Sequence, residues 1–223
     1  MDFKIISRKG QYTVSTEIKH LVVLCFSRKD TAKTMEYIHM LEEAGVTCPK
    51  DVPVLYPCDP QIVTRKDTID VIGGKTSGEA EYLILCHGGK FYIGLGSDHT
   101  DRELEVTSIH KSKQVCLKPC SDAFWEYDEV KDHLPELRII SSQQTEGDIQ
   151  AYQYGTAGDI LPFDTIVEKV QAEVPLEDCL IYTGTVPLLH GFVFGDRFTA
   201  CLMDDVLGRE LTLSYSVHVM EER

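Results

Sequence analysis

Short apolar runs separated by turn-forming residues recur along the chain and predict a structure rich in β-strands. Two neighbouring glycines, Gly88 and Gly89, stand between two such runs and predict a tight hairpin. The predicted strands cover residues 4–6, 11–16, 21–26, 54–56, 68–72, 79–86, 90–95, 137–141, 180–183, 198–203 and 210–219.

Helical spacing of apolar residues predicts few helices. The clearest one in the first half covers residues 31–44, with Asp30 or Thr31 as its cap and Gly45 as its stop. Two others are predicted at residues 127–134 and 162–172. Strands and helices do not alternate regularly, and the chain has neither a G-x-G-x-x-G motif nor a P-loop. The pattern therefore indicates an α+β fold rather than a doubly wound parallel sheet.

Length and composition narrow the class of protein. The chain has 223 residues, of which 43% are hydrophobic and 26% are charged, and this is typical of a single globular domain. The longest aliphatic run, residues 21–26, is too short to cross a bilayer, and the first residues lack a secretory signal pattern. A net charge of -14 disfavours nucleic acid and membranes as partners. Eight cysteines without a C-x-x-C pair indicate reduced thiols, so we expect a cytoplasmic protein.

The predicted hairpin has a chemical consequence at its open end. A two-residue turn at Gly88 and Gly89 places Glu79 directly opposite Asp98, and Glu81 shares a face with Glu79 because side chains alternate along a strand. Opposed like charges destabilise a sheet unless something neutralises them. Carboxylate oxygens suit Mg²⁺ or Mn²⁺, so a metal site is predicted here. The alternative is a solvated acidic edge that discourages aggregation.

Four segments together resemble a known family. They are V-P-V-L-Y at residues 52–56, G-E-A-E at 78–81, G-S-D-H-T-D-R-E at 96–103 and G-T-V-P at 184–187. In this order and spacing they resemble the fumarylacetoacetate hydrolase superfamily, and in particular an uncharacterised bacterial branch of it. The similarity extends from about residue 22 to about residue 215.

The resemblance implies a structure and a set of site residues. It implies one domain with a mixed β-roll and flanking helices, in which residues 1–48 form N-terminal strands and a lid helix and residues 49–223 form the roll. It also implies a homodimer. Matched to the family motifs, the metal ligands are Glu79, Glu81 and Asp98, the substrate-binding residues are Arg102 and Thr185, and the catalytic lysine is Lys113, with Lys111 as the alternative.

A pair of residues on the predicted helix 31–44 could activate water. His39 and Glu42 are three positions apart and therefore share a helix face, where the carboxylate can orient the imidazole as a general base. Such a pair is by itself also typical of a solvated acidic helix face. The resemblance favours the catalytic interpretation, because members of the superfamily have an H-x-x-E pair on a helical lid ahead of the metal strands.

These observations predict a Mg²⁺- or Mn²⁺-dependent hydrolase that cleaves a C–C bond in a small 2-oxo or 1,3-dioxo carboxylate resembling an acylpyruvate. Without a placed water molecule, the same site could decarboxylate or tautomerise an oxo acid. The chain departs from the family pattern at Ser97, at residues 99–101, 114–116 and 188–191, all around the expected substrate. These departures leave open a different substrate, or a binding protein that keeps the fold without catalysis.

Overall fold

The computed structural model describes residues 1–43 and 51–221. The strands of the described part are β1 (Asp2–Ser7), β2 (Gly10–Ser15), β3 (His20–Cys25), β4 (Val54–Cys58), β5 (Val63–Thr64), β6 (Thr68–Ile72), β7 (Thr76–Ser77), β8 (Ala80–His87), β9 (Lys90–Ser97), β10 (Thr100–Asp101), β11 (Lys118–Pro119), β12 (Ala123–Glu126), β13 (Arg138–Thr145), β14 (Asp148–Thr156), β15 (Cys179–Tyr182), β16 (Arg197–Asp204) and β17 (Arg209–Met220). The helices are α1 (Thr31–Glu43), α2 (Arg102–Glu105), α3 (Ile109–Gln114), α4 (Tyr127–Val130) and α5 (Phe163–Gln171).

Two mixed sheets form the body of the protein. The larger sheet has the order β2-β1-β12-β9-β8-β15-β3-β4, and the smaller has the order β14-β13-β16-β17-β6. Most neighbouring strands are antiparallel, but β1 and β12, β3 and β15, and β6 and β17 run parallel. Two short ladders, β7–β10 and β5–β11, lie outside these sheets. The predicted α+β class is therefore confirmed.

Strand β8 is central because both of its faces are covered. Tyr82 and Ile84 belong to the hydrophobic core that includes residues of the smaller sheet, whereas Leu83 and Leu85 belong to a second core on the other face. A strand buried on both faces is expected to be a nearly continuous apolar run. This explains why residues 82–86 lack the alternation of apolar and polar residues that marks a half-exposed strand.

The helices are short and lie at the edges of the sheets. Helix α5 buries Phe163, Ile166 and Val170, which lie on one helical face, in the first core. Helix α1 extends to Glu43 at the end of the described segment, so the predicted stop at Gly45 lies outside the described residues. Within the described residues, no helix is long and apolar enough to cross a bilayer.

Three elements differ from the predictions. The predicted helix 127–134 is only the four-residue α4, followed by a 3-10 turn at Leu134–Glu136. Strand β14 is not predicted, because it has mainly polar residues and is exposed over its first four positions. Helices α2 and α3 are also not predicted, since neither is long enough to show a helical period.

Candidate metal and substrate site

The β8–β9 hairpin has the register that the two glycines predict. Cα partners run from Ala80 and Ser97 at the open end to His87 and Lys90 beside the turn. Gly88 and Gly89 have φ angles of 60° and 70°, a conformation that glycine adopts without steric cost. The ladder continues beyond the strands, because the Asp98 amide donates to the Glu79 carbonyl at 2.9 Å. The open end of the hairpin is thus held in a fixed register.

Three carboxylates meet at this open end and are called the carboxylate triad below. One oxygen from each of Glu79, Glu81 and Asp98 lies within 4.8 Å of the others. Glu81 and Asp98 are each 1% exposed, and Glu79 is half-buried. The Gly184 amide donates to Glu81 Oε2 at 2.9 Å and orients that side chain. The sequence-predicted ligands are therefore brought together on one side of the hairpin.

Gly184 has a conformation and a close contact that require glycine. Its φ angle is 104°, and a Cβ atom at this position would lie 1.8 Å from Ser27 Oγ. The Ser27 hydroxyl itself donates to the Thr183 carbonyl at 2.7 Å. Loss of Gly184 would therefore disturb the donor that holds Glu81 in place.

The electrostatics of the triad favour a bound cation. Burial raises the pKa of Glu81 well above its ordinary value, and the Asp98 charge raises it further. Burial also raises the pKa of Glu79, against the effect of Arg102. Asp98 behaves in the opposite way, because Lys113 and Lys118 outweigh the effect of burial and hold its pKa below the usual range. A donor set made only of carboxylate oxygens, crowded and out of water, fits a hard divalent cation such as Mg²⁺ or Mn²⁺.

Two buried lysines hold Asp98 from the side. Lys113 of α3 places Nζ 2.5 Å from Asp98 Oδ2, and this lysine lines the cavity described below. Lys118 of β11 places Nζ 3.2 Å from Asp98 Oδ1 and donates to the His99 carbonyl at 2.5 Å. Lys111 is exposed, so of the two predicted lysines Lys113 is the one beside the triad. Lys118 is missed by the sequence analysis.

Arg102 connects the triad to the cavity wall. Its Nε donates to Ser77 Oγ at 2.8 Å and its Nη1 donates to Glu105 Oε2 at 2.9 Å. Nη2 lies 3.3 Å from Glu79 Oε2 but makes no hydrogen bond within the described residues. The guanidinium lies 4.2 Å from the centroid of the Phe192 ring. Arg102 therefore pairs with a predicted metal ligand and still has an N–H available for a substrate.

A cavity of about 410 Å³ opens over these groups, a volume suited to a small ligand. Its floor includes the triad, Lys113, Arg102 and the predicted substrate-binding Thr185. The Thr185 hydroxyl accepts a hydrogen bond from Gln153 Nε2 at 2.5 Å. Other lining residues are Cys25, Ser27, Arg28, Thr34 and Glu105. The apolar wall is formed mainly by Leu24, Phe26, Val106, Ile109, Pro187, Leu188 and Phe192.

The predicted pair of His39 and Glu42 lies together on α1 but outside the cavity lining. His39 Nδ1 is 3.4 Å from Glu42 Oε2, and the two side chains are 69% and 50% exposed. The residue of α1 that lines the cavity is Thr34. Thr34 and His39 are five positions apart and so point in directions about 140° apart around the helix. The catalytic role of the pair stays a prediction.

Comparisons with known proteins identify a family and a fold. A family model described as "Protein of unknown function (DUF2848)" matches residues 26–215. Among curated proteins, none matches the chain. Three solved structures are similar: a Yersinia pestis CO92 protein assigned to the fumarylacetoacetate hydrolase family (TM-score 0.64, 16% identity, 97% of this chain and 100% of that chain), a 5-carboxymethyl-2-hydroxymuconate delta-isomerase from Mycobacterium smegmatis (0.64, 17%, 99% and 99%) and a 2-keto-3-deoxy-D-arabinonate dehydratase (0.68, 17%, 96% and 78%). At such identities the likeness establishes the fold alone.

Proposed function

The chain belongs to the DUF2848 family and has the fold of fumarylacetoacetate hydrolase-family proteins, and on that premise we propose that it is a metal-dependent enzyme acting on a small 2-oxo or 1,3-dioxo carboxylate. The observation that carries the proposal is the buried carboxylate triad, with Lys113 and Arg102 beside it, at the floor of a cavity. The named activities of the similar structures, an isomerase and a dehydratase among them, support enzymatic use of this fold.

Glu79, Glu81 and Asp98 would hold the metal. A divalent cation bound there would supply a Lewis acid toward the carboxylate and 2-oxo oxygens of the substrate. The Gly184 amide keeps Glu81 oriented for this role. The two lysines fix Asp98 from the opposite direction to the cavity opening's apolar wall residues, so the ligand set has little freedom to reorganise.

The other polar residues act on the substrate itself. Burial alone would lower the pKa of Lys113, but Asp98 outweighs burial and raises it well above its ordinary value, so the ammonium stays charged. A fixed positive charge can stabilise the negative charge that develops on the substrate when a bond next to the oxo group breaks. The free N–H of Arg102 and the Thr185 hydroxyl position the carboxylate, and the apolar wall limits access of water.

The proposed reaction is hydrolytic cleavage of a C–C bond, with His39 as the base that activates water. Glu42 would orient the imidazole, as their 3.4 Å separation allows. This reaction requires α1 to present His39 to the cavity, in place of the Thr34 face that lines it.

A second candidate is decarboxylation or tautomerisation of an oxo acid. One specific observation favours it: among the described residues that line the cavity, none is a histidine. Neither reaction needs a base that activates water, so the triad, Lys113 and Arg102 would suffice.

A substrate screen tests the proposal. Acylpyruvates and shorter oxo acids are incubated with Mg²⁺ or Mn²⁺, the loss of enol absorbance is followed, and products are identified by NMR. We expect metal-dependent turnover that Glu79→Gln reduces by about 100-fold or more, because it removes a ligand charge, while Glu103→Gln at an exposed position has no effect.

The products and one further variant separate the candidates. Hydrolysis gives two carboxylic acids and is lowered by His39→Ala by about 100-fold or more. Decarboxylation or tautomerisation gives CO₂ or a keto–enol isomer and is unaffected by His39→Ala. Absence of both turnover and metal binding across the screen would refute the proposed function and leave a binding protein.

A further inference from the structure

Arg28 is a cation of the cavity lining that has no carboxylate partner. It lies between β3 and α1, is half-buried, and lines the same cavity as the triad. The other two lining cations are paired, Lys113 with Asp98 and Arg102 with both Glu79 and Glu105. The Arg28 side chain makes neither a hydrogen bond nor an ion pair with any described residue; its backbone bridges to Ile160.

The position of Arg28 separates it from the metal site. Since no described carboxylate oxygen lies within 4.0 Å of it, its guanidinium stands apart from the triad and from Glu105. A ligand held at the triad by its 2-oxo carboxylate end would have to extend across the cavity to reach it. Guanidinium groups bind carboxylates through two parallel hydrogen bonds, which an arginine without a protein partner can offer in full.

The charge of the cavity favours an anionic ligand. Four carboxylates and three cations line it, and a divalent cation at the triad would leave a small positive excess. The protein as a whole has a net charge of -14, so a doubly charged anion needs a local attraction in order to enter. Arg28 supplies such an attraction on the cavity wall.

We infer that Arg28 determines specificity by binding a second carboxylate at the far end of the substrate, so that the substrate class is the 2-oxo dicarboxylates. The inference rests on the proposed function, because the near end of the substrate is held by the metal site. It makes Arg28 a substrate-binding residue and assigns it no part in bond breaking.

Binding of matched oxo acids tests the inference. Dissociation constants are measured by calorimetry with Mn²⁺ present for 2-oxoglutarate and for 2-oxopentanoate, which has a methyl group in place of the far carboxylate. We expect the wild type to bind the dicarboxylate at least about tenfold more tightly, and Arg28→Gln to remove this preference without weakening 2-oxopentanoate. Arg28→Lys should keep only part of it. Lys29→Gln, which removes the same charge at the neighbouring exposed position, should leave the preference intact.

Oxalate separates failure of the inference from failure of the proposed function. It carries the chelating end of an oxo acid but is too short to span the cavity, so it should bind the wild type and Arg28→Gln equally. If oxalate binds while the wild type shows no preference for the dicarboxylate, or Arg28→Gln weakens both oxo acids equally, the role of Arg28 is wrong and the metal site stands. If neither oxalate nor any oxo acid binds in the presence of metal, the proposed function is wrong and the inference fails with it.

Discussion

The two ends of the β8–β9 hairpin each gather three side chains that could bind a metal ion, yet they are built for different purposes. The open end carries the carboxylate triad, and the turn end carries His87, Glu177 and Asp178. In both clusters the potential ligand atoms lie within 4.8 Å of one another. Residue type and spacing therefore do not distinguish the two ends, and the distinction lies in burial and in hydrogen-bond partners.

At the turn end the protein itself satisfies the acidic group. Asp178 accepts hydrogen bonds at 2.5–2.8 Å from three side chains, those of Lys19, Thr16 and His87. Lys19 is largely exposed, so water can take its place in part. This cluster ties the hairpin turn to the segments before β3 and β15, and it has little left to offer a metal.

At the open end the same chemistry is incomplete. Two of the three carboxylates are almost fully buried, and burial raises the pKa of Glu79 and Glu81. The lysines compensate Asp98, which leaves Glu81 with only one backbone donor, the Gly184 amide. The comparison teaches that unbalanced, desolvated carboxylates indicate a cation site, whereas fully paired ones indicate a structural contact.

Removal of a lysine at each end should give the largest difference. Lys118→Met leaves a buried carboxylate short of one counter-charge and should lower the free energy of unfolding by about 3 kcal/mol. Lys19→Met removes an exposed partner and should change it little. Urea denaturation without metal measures both. Equal destabilisation by the two variants would contradict the assignment of different roles.

Metal binding should depend on one end only. At a Mg²⁺ or Mn²⁺ concentration about 100 times Kd, the wild type should gain about 2.7 kcal/mol in free energy of unfolding. Glu81→Gln, which keeps the shape of the side chain and can still accept from Gly184, should lose most of this gain. Glu177→Gln at the turn end should retain it. Thermal melting with and without metal provides the measurement, and the opposite pattern would move the metal site to the turn.

The smallest effect should be a pH dependence at the turn end. Hydrogen bonds from Lys19, His87 and Thr16 hold the pKa of Asp178 well below its ordinary value. A depressed pKa in the folded state contributes stability above the pKa of the unfolded chain, near 4, and this contribution is lost as pH falls further. The stability difference between wild type and Asp178→Asn should therefore be constant from about pH 7 to 5 and shrink toward pH 3. Denaturation at a series of pH values measures it, with Asp148→Asn as an exposed control. A difference that grows on acidification would contradict the pairing.

The hairpin and its triad were predictable because the information is local. Gly88 and Gly89 specify the turn, the turn specifies the register, and strand alternation then places Glu79 and Glu81. The resemblance led to the same three ligands. Nothing in this argument needs contacts between distant segments.

Lys118 and the orientation of α1 were not predictable in this way. Lys118 reaches Asp98 because β11 pairs with β5, a contact between segments more than fifty residues apart. Its apolar neighbours, Leu117 and Cys120, are the one hint of burial in the sequence. For α1, the spacing of His39 and Glu42 tells only that they share a face. The buried face is set by packing of Thr34 and Ile38.

The cavity floor and the cavity wall are supplied by different kinds of backbone. The floor stands on paired strand ends and on Gly184, whose crowding against Ser27 tolerates no side chain. Much of the wall, including Leu188 and Phe192, belongs to a connection between β15 and β16 with little regular structure. Exchanging that connection for one of another length or polarity would redirect the protein to other ligands while the machinery beneath it keeps working unchanged.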